Sequence, residues 1–269
     1  MIGFKSFCII YDIMEKKMNI EFYDMIFKRK SFHLFRNIGN EKITPWELEK
    51  IEETFYNLKP LVNNIKTKIK ITKDLKKCKR GQEYVILFYS ENKENYLENI
   101  GYLGEQLDLY LVSQNIGALW YGMAQAEEKI DNLEFVIMIA IAKIDNPSKF
   151  RKDMYKGKRK CVTEIWNGDY YTDVADIVRF APSACNTQPW FVDANEKIIN
   201  VYRYQKEGKS GILPKNKVTY YNAIDIGIFL CFLELCLAKN KIKFNRILFY
   251  NQLREEKILT ARYELDRSL

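Results

Sequence analysis

Apolar and polar positions recur along this chain with two different periods, and the switches between them mark out its elements. Leu48, Ile51, Phe55 and Leu58 follow one another at helical spacing. Thr44 precedes them as an N-cap, Pro45 takes the first helical position, Glu47 completes a capping box and Pro60 closes the segment. Residues 66–72 alternate apolar with polar, the pattern of a half-buried strand. Residues 84–89 are continuously apolar and read as a buried strand. A long helix is predicted over 96–114, with Leu97, Ile100, Gly104, Leu107 and Leu111 on one face. Gly101 and Gly104 would let another helix approach it closely. Residues 135–143 read as a central strand, and 21–27 as a short amphipathic segment.

Residues 146–160 are polar and basic and read as a linker, after which the pattern starts again. A proline ends a helix at Pro60 and again at Pro182, and Asn64 and Asn186 follow at the same offset. Alternating segments come next, at 66–72 and 197–204, and then a long apolar helix ending near Asn115 and near Asn240. This order predicts an internal duplication, with two similar lobes around a pseudo-two-fold axis. The first lobe would span 18–150 and the second 151–269. Residues 1–17 carry little pattern and read as an extension ahead of a second plausible start at Met18. The apolar stretch 226–238, interrupted by Glu234, is too short to cross a bilayer and reads as a buried core helix.

Composition narrows the function classes. The chain has 43 Lys and Arg against 35 Asp and Glu, a net charge of +8. The basic residues are scattered and not clustered among exposed aromatics, so a nucleic-acid face is not expected. Six cysteines include no C-x-x-C pair and there is one histidine, which argues against a zinc site. No secretion signal precedes them, so they read as reduced thiols of a cytoplasmic protein.

Four segments carry candidate chemistry. Arg29-Lys30-Ser31-Phe32-His33 gathers cations and a hydroxyl near a helix end, suited to phosphate oxygens or else to a solvated basic patch. In residues 179–190 Pro182 breaks a helix, and Ser183, Asn186 and Gln188 follow. Their donors and acceptors suit a heteroaromatic ring carrying carbonyls, or else a structural turn. Residues 115–122 read as a glycine-bounded loop able to bring backbone amides to a flat ligand, or as a plain helix end with a packed Trp120. Residues 156–160 offer a further cation, or a solvated linker.

Together these segments resemble the FMN-dependent nitroreductase family over roughly residues 19–245. Arg29–His33 match its R-x-S motif, Pro182 through Trp190 its P-S-x-x-N-x-Q-P-W loop, Gly117 to Gly122 its G-x-x-W-x-G segment, and Arg159 to Glu164 its late R-K-x-x-x-E segment. In typical members the R-x-S motif and the P-S-x-x-N loop come from one repeat, and two chains share each flavin. Here each repeat keeps one of the two, which resembles a two-lobed, fused branch of the family with one composite site per chain. The implied fold is α+β, with sheets flanked by helices.

The resemblance implies FMN as cofactor and NAD(P)H as co-substrate. Arg29, Lys30, Ser31 and Arg159 would serve the FMN phosphate, with His33 in place of the usual second cation. Pro182, Ser183, Ala184, Asn186 and Gln188 would line the isoalloxazine. Leu119, Tyr121 and Gly122 would lie along it, with a backbone amide of Tyr121 or Gly122 at N5. Lys73 or Lys77 would stabilise the N1 side, and Cys185 would be a small packing residue. No catalytic side chain is implied. The implied activity is hydride transfer to a small electron-poor acceptor such as a nitroaromatic, a quinone or free flavin. The alternatives are other reductive chemistry on the same fold, or a non-catalytic flavin-binding sensor. A monomer or homodimer with small-molecule partners, bound to neither nucleic acid nor membrane, is expected.

Overall fold

A computed structural model describes residues 9–10, 18–73, 78–123, 126, 129–204, 215–250 and 256–266. The chain divides into two compact units, one of residues 16–157 and one of residues 158–269 together with 1–15. The first strand, β1 (Ile9–Ile10), belongs to the sheet of the latter unit.

In the unit of residues 16–157, α1 (Phe22–Lys28) is followed by α2 (Pro45–Asn57). The capping box of α2 forms as its sequence predicts. Thr44 Oγ1 accepts from the Glu47 amide at 3.2 Å, and Glu47 Oε2 accepts from the Thr44 amide at 2.8 Å. Then come β2 (Thr67–Thr72), β3 (Tyr84–Ser90), α3 (Tyr96–Ser113), β4 (Ile116–Tyr121), β5 (Lys129–Ile130) and β6 (Leu133–Lys143). The sheet is antiparallel throughout in the order β2-β3-β6-β4, with β5 paired to β6. β6 is central, and Val136 to Ala142 are all buried.

Three expectations are corrected here. Residues 115–122 are not a loop: Asn115 alone turns, at φ 55°, and Ile116–Tyr121 pairs with β6 from Lys143 to Met138. A backbone crossing a buried sheet needs ladder partners for its polar groups. Gly117 serves this packing, because a Cβ there would lie 2.8 Å from Phe32 and 2.9 Å from Ile144. At Gly104 it is the Trp120 ring of β4, not another helix, that makes the close approach. Residues 146–157 are not an open linker. They form two short 3-10 turns capped by the Asn146 and Asp153 side chains, and they bury Phe150 and Met154.

In the unit of residues 158–269, α4 (Val162–Ile165), β7 (Trp166–Asn167), α5 (Thr172–Val178), β8 (Trp190–Ala194), β9 (Ile198–Tyr204), α6 (Val218–Lys239), β10 (Lys243–Leu248) and β11 (Lys257–Asp266) follow in order. The sheet runs β1-β10-β11-β9-β8-β7, antiparallel except for the parallel pair β7–β8. Its main strands repeat the topology of the other unit. A helix, two strands, a long helix and two strands follow one another, and the sheet order is first, second, fourth, third in both β2-β3-β6-β4 and β8-β9-β11-β10.

α6 is longer than its apolar stretch suggests. At 22 residues it reaches about 33 Å, long enough to span a bilayer, so the length criterion gives way. What marks it as a core helix is that 94% of its most apolar window is buried within the protein. Of its two buried carboxylates, Asp225 and Glu234, the latter meets the Arg246 guanidinium of β10 and the Tyr263 hydroxyl of β11, the hydroxyl at 3.0 Å.

Candidate functional site

Arg29 is the C-cap of α1, where the chain leaves helical geometry at ψ 136°. Ser31 then forms a parallel bridge with Ala118 of β4, and the Phe32 amide donates to the Ala118 carbonyl at 3.0 Å. This stitch brings the Arg29–His33 segment against the Gly117–Gly122 segment. Phe32 locks it by packing on Phe35 and Phe150, at centroid distances of 6.0 and 5.4 Å.

Arg29 is only 3% exposed. Its Nε donates to Asp108 Oδ2 at 2.9 Å and lies 3.1 Å from Glu105 Oε1, while Nη2 lies 2.8 Å from Asp108 Oδ2. The remaining corner, Nη1, reaches the Ser31 hydroxyl at 3.4 Å. Trp120 Nε1 donates to both carboxylates, at 3.1 Å each. Two buried acids thus face one guanidinium. Burial pushes the Glu105 carboxyl well above the carboxylate range and the Asp108 charge adds to this, against the pull of Arg29. Burial also raises Asp108, opposed by Arg29. Burial works against the charge of Arg29, but Asp108 and Glu105 together hold its pKa above the ordinary value. Burial thus raises both acids while Arg29 opposes it, and the guanidinium is matched by carboxyl groups on two sides.

Glu105 and Asp108 were not anticipated. The signal lay in their position, because they share a helical stripe with Gly101 and Gly104 inside an otherwise apolar helix. Of the other expected residues in this unit, Leu119 is buried and Lys30 is exposed, its Nζ donating to the Lys149 carbonyl at 3.0 Å. His33 is exposed. Tyr121 is half-buried, with the Arg80 guanidinium over its ring at 5.4 Å, and Gly122 follows the strand. Lys73 holds its Nζ over the Tyr84 ring at 5.1 Å, and Lys77 lies outside the described residues.

In the unit of residues 158–269, Pro182 follows α5 and opens a tight loop. Cys185, Asn186 and Gln188 all have positive φ, at 51°, 56° and 48°. Three non-glycine residues in the left-handed region need a surrounding that over-determines them. Asp225 of α6 accepts from the Ala184 amide with both oxygens, at 3.0 and 3.1 Å, and from Thr187 Oγ1 at 3.4 Å. The Ser183 hydroxyl accepts from the Gln188 amide at 3.0 Å. Gln188 Oε1 accepts from the Lys160 amide at 2.8 Å, and Lys160 Nζ donates to the Gln188 carbonyl at 3.0 Å. Arg159 Nη1 donates to Asn186 Oδ1 at 2.8 Å, and Nη2 reaches the Phe180 carbonyl at 3.4 Å. The two motif segments of this unit are thereby interlocked.

Gln188 is buried and faces into the loop. Cys185 is exposed, so it is not the small packing residue expected of it. Glu164 accepts from the Cys161 amide at 2.7 Å and caps α4. Trp190 stacks on Phe229 of α6 with centroids 5.0 Å apart. Burial raises the Asp225 carboxyl to about 8, against the Ala184 and Thr187 donors that favour its charge.

The fold and motifs correspond to a known family. The family described as "Putative TM nitroreductase" matches residues 21–237, and the chain belongs to it. A crystal structure of a "putative nitroreductase" from Thermotoga maritima is similar with a TM-score of 0.58 and 18% identity, over 95% of this chain and 99% of that one, a likeness of fold. A "Putative NADH Oxidase" from Clostridium acetobutylicum covers 55% of this chain and 100% of its own, with a TM-score of 0.41 and 16% identity. A nitroreductase family protein from Clostridium difficile covers 55% of this chain and 97% of its own, with a TM-score of 0.40 and 12% identity. No curated protein matches the chain.

Proposed function

We propose that this chain is an FMN-dependent oxidoreductase. It takes hydride from NAD(P)H and delivers it to a small electron-poor acceptor such as a nitroaromatic, a quinone or free flavin. The observation that carries this reading is the Arg29 corner. With Nε and Nη2 fixed on Asp108, Nη1 and the Ser31 hydroxyl form a donor pair 3.4 Å apart, and such a pair suits phosphate oxygens. Lys30 adds an exposed cation beside it, and His33 adds a hydrogen-bond donor at most.

In the other unit, the loop from Pro182 to Asn186 offers a ring-flanking surface of small side chains. Arg159, Gln188 and Asp225 hold its left-handed backbone in place. Tyr121 ends β4, Gly122 follows it, and the two carry the amides assigned to the ring edge. FMN, when bound, supplies the hydride-accepting and hydride-donating chemistry. The protein residues bind and orient it, and no side chain is needed as nucleophile or general acid. The reading implies a cytoplasmic monomer or homodimer acting on small molecules.

The test is the absorption spectrum of the purified protein, followed by anaerobic NADH or NADPH. A yellow protein that bleaches supports the enzyme. A yellow protein that does not bleach points to the sensor. A colourless protein that neither retains nor quenches added FMN ends the flavin reading.

A further inference from the structure

The Arg29 corner supplies donors but little net charge. Two buried carboxylates lie against this guanidinium, so its positive charge is already compensated within the unit. A phosphate dianion needs a further cation; Lys30 is exposed with its Nζ donating to the Lys149 carbonyl, and His33, expected as the second cation, is exposed and outside the cluster.

The segment after the 3-10 turn at Pro147–Lys149 runs back beside α1. The Arg151 amide donates to the Lys28 carbonyl at 3.0 Å, and Lys30 Nζ donates to the Lys149 carbonyl at 3.0 Å. These two ties flank Arg29 in sequence and fix Arg151 next to it. Arg151 is half-buried, and among the described residues no carboxylate pairs with it. Burial and the neighbouring charge of Arg29 both lower its pKa, so the two guanidinium groups feel each other. A half-buried cation held near another cation gains most from a shared anion.

We infer that Arg151 is the second cation of the phosphate subsite, taking the part expected of His33, with Arg29 and Ser31 as its oriented donors. The inference rests on the phosphate assignment above but not on the flavin ring.

The test uses flavin-free full-length protein and three probes: FMN, riboflavin and inorganic phosphate. Arg151→Gln is expected to weaken FMN binding about 10- to 100-fold, by fluorescence quenching, and to leave riboflavin unchanged. It should also abolish the rise in melting temperature that phosphate gives the parent protein. Arg151→Met, which keeps the apolar stem, should behave alike if the glutamine variant folds poorly. Lys152→Gln, an exposed neighbouring cation, should change none of these. If Arg151→Gln binds FMN as the parent does, or if Lys152→Gln loses as much, the inference falls while the flavin reading stands. If the parent takes up phosphate through Arg151 but neither flavin, the anion subsite stands and the flavin reading falls. If it takes up none of the three, both fall.

Discussion

The indole of Trp120 occupies the space a side chain at residue 104 would need: a Cβ on Gly104 would lie 2.4 Å from Trp120 Cη2. The same indole donates to Glu105 and Asp108, so a single glycine on α3 sets the height at which β4 meets the buried acids. Gly104→Ala is expected to displace the ring and to cost about 2–4 kcal/mol, from overpacking and lost hydrogen bonds. Urea denaturation measures it. Parent-like stability would show that the ring has room to move.

The two acids should respond differently to amide substitution. Asp108 carries the charge that compensates Arg29, and Asp108→Asn leaves a buried cation short of its partner. A loss of about 3–5 kcal/mol is expected. Burial raises the Glu105 carboxyl well above the ordinary value, and Gln resembles its neutral form. Glu105→Gln should cost less than about 1.5 kcal/mol. Equal losses in the two variants, by thermal or urea unfolding, would contradict this division.

Arg29→Ala is a poor probe of ligand binding, because it strands both acids. Ser31→Ala is the clean one. It removes a single donor from a half-exposed position, and it should weaken FMN about 5- to 10-fold with little change in melting temperature. An unchanged FMN affinity would remove Ser31 from the phosphate grip.

Asp225 gives the unit of residues 158–269 a signature in pH. Its carboxyl is raised to about 8 in the folded protein, well above the ordinary value of 3.8. Between these two values the folded state holds a proton that the unfolded state releases. Stability from this group therefore falls as pH rises from about 4 to about 8, by up to about 1.4 kcal/mol per pH unit. Asp225→Asn should flatten that slope. Urea midpoints at several pH values from 5 to 8 measure it, and parallel profiles for parent and variant would count against a protonated Asp225.

Much of the fold was legible because local signals agreed with the burial they serve. The capping box at Thr44, the alternation in 67–72 and the apolar run at 84–89 each have one physical reading. β10 and β11 were not found, because Lys243–Leu248 and Lys257–Asp266 mix charge into both faces. Arg246, which reads as a surface residue, is buried only because Glu234 meets it from another element. β4 was misread for a related reason, since Gly117 signals a turn locally but packing against Phe32 in the fold. At the candidate site the motif residues were visible as motifs. The residues that hold them were not: Glu105, Asp108 and Asp225 are carboxylates within helices whose partners lie far away in sequence.

The wrapping of α6 also dictates an order of events on the ribosome. This nearly unbroken apolar helix leaves the exit tunnel before Arg246 and Tyr263, the two residues that meet its buried Glu234. Until the last strands are synthesised, the nascent chain presents a segment that insertion machinery or chaperones would read as greasy. A stop codon shortly after residue 240 should therefore yield a chain that aggregates or is captured at a membrane, even though every motif residue is already in place.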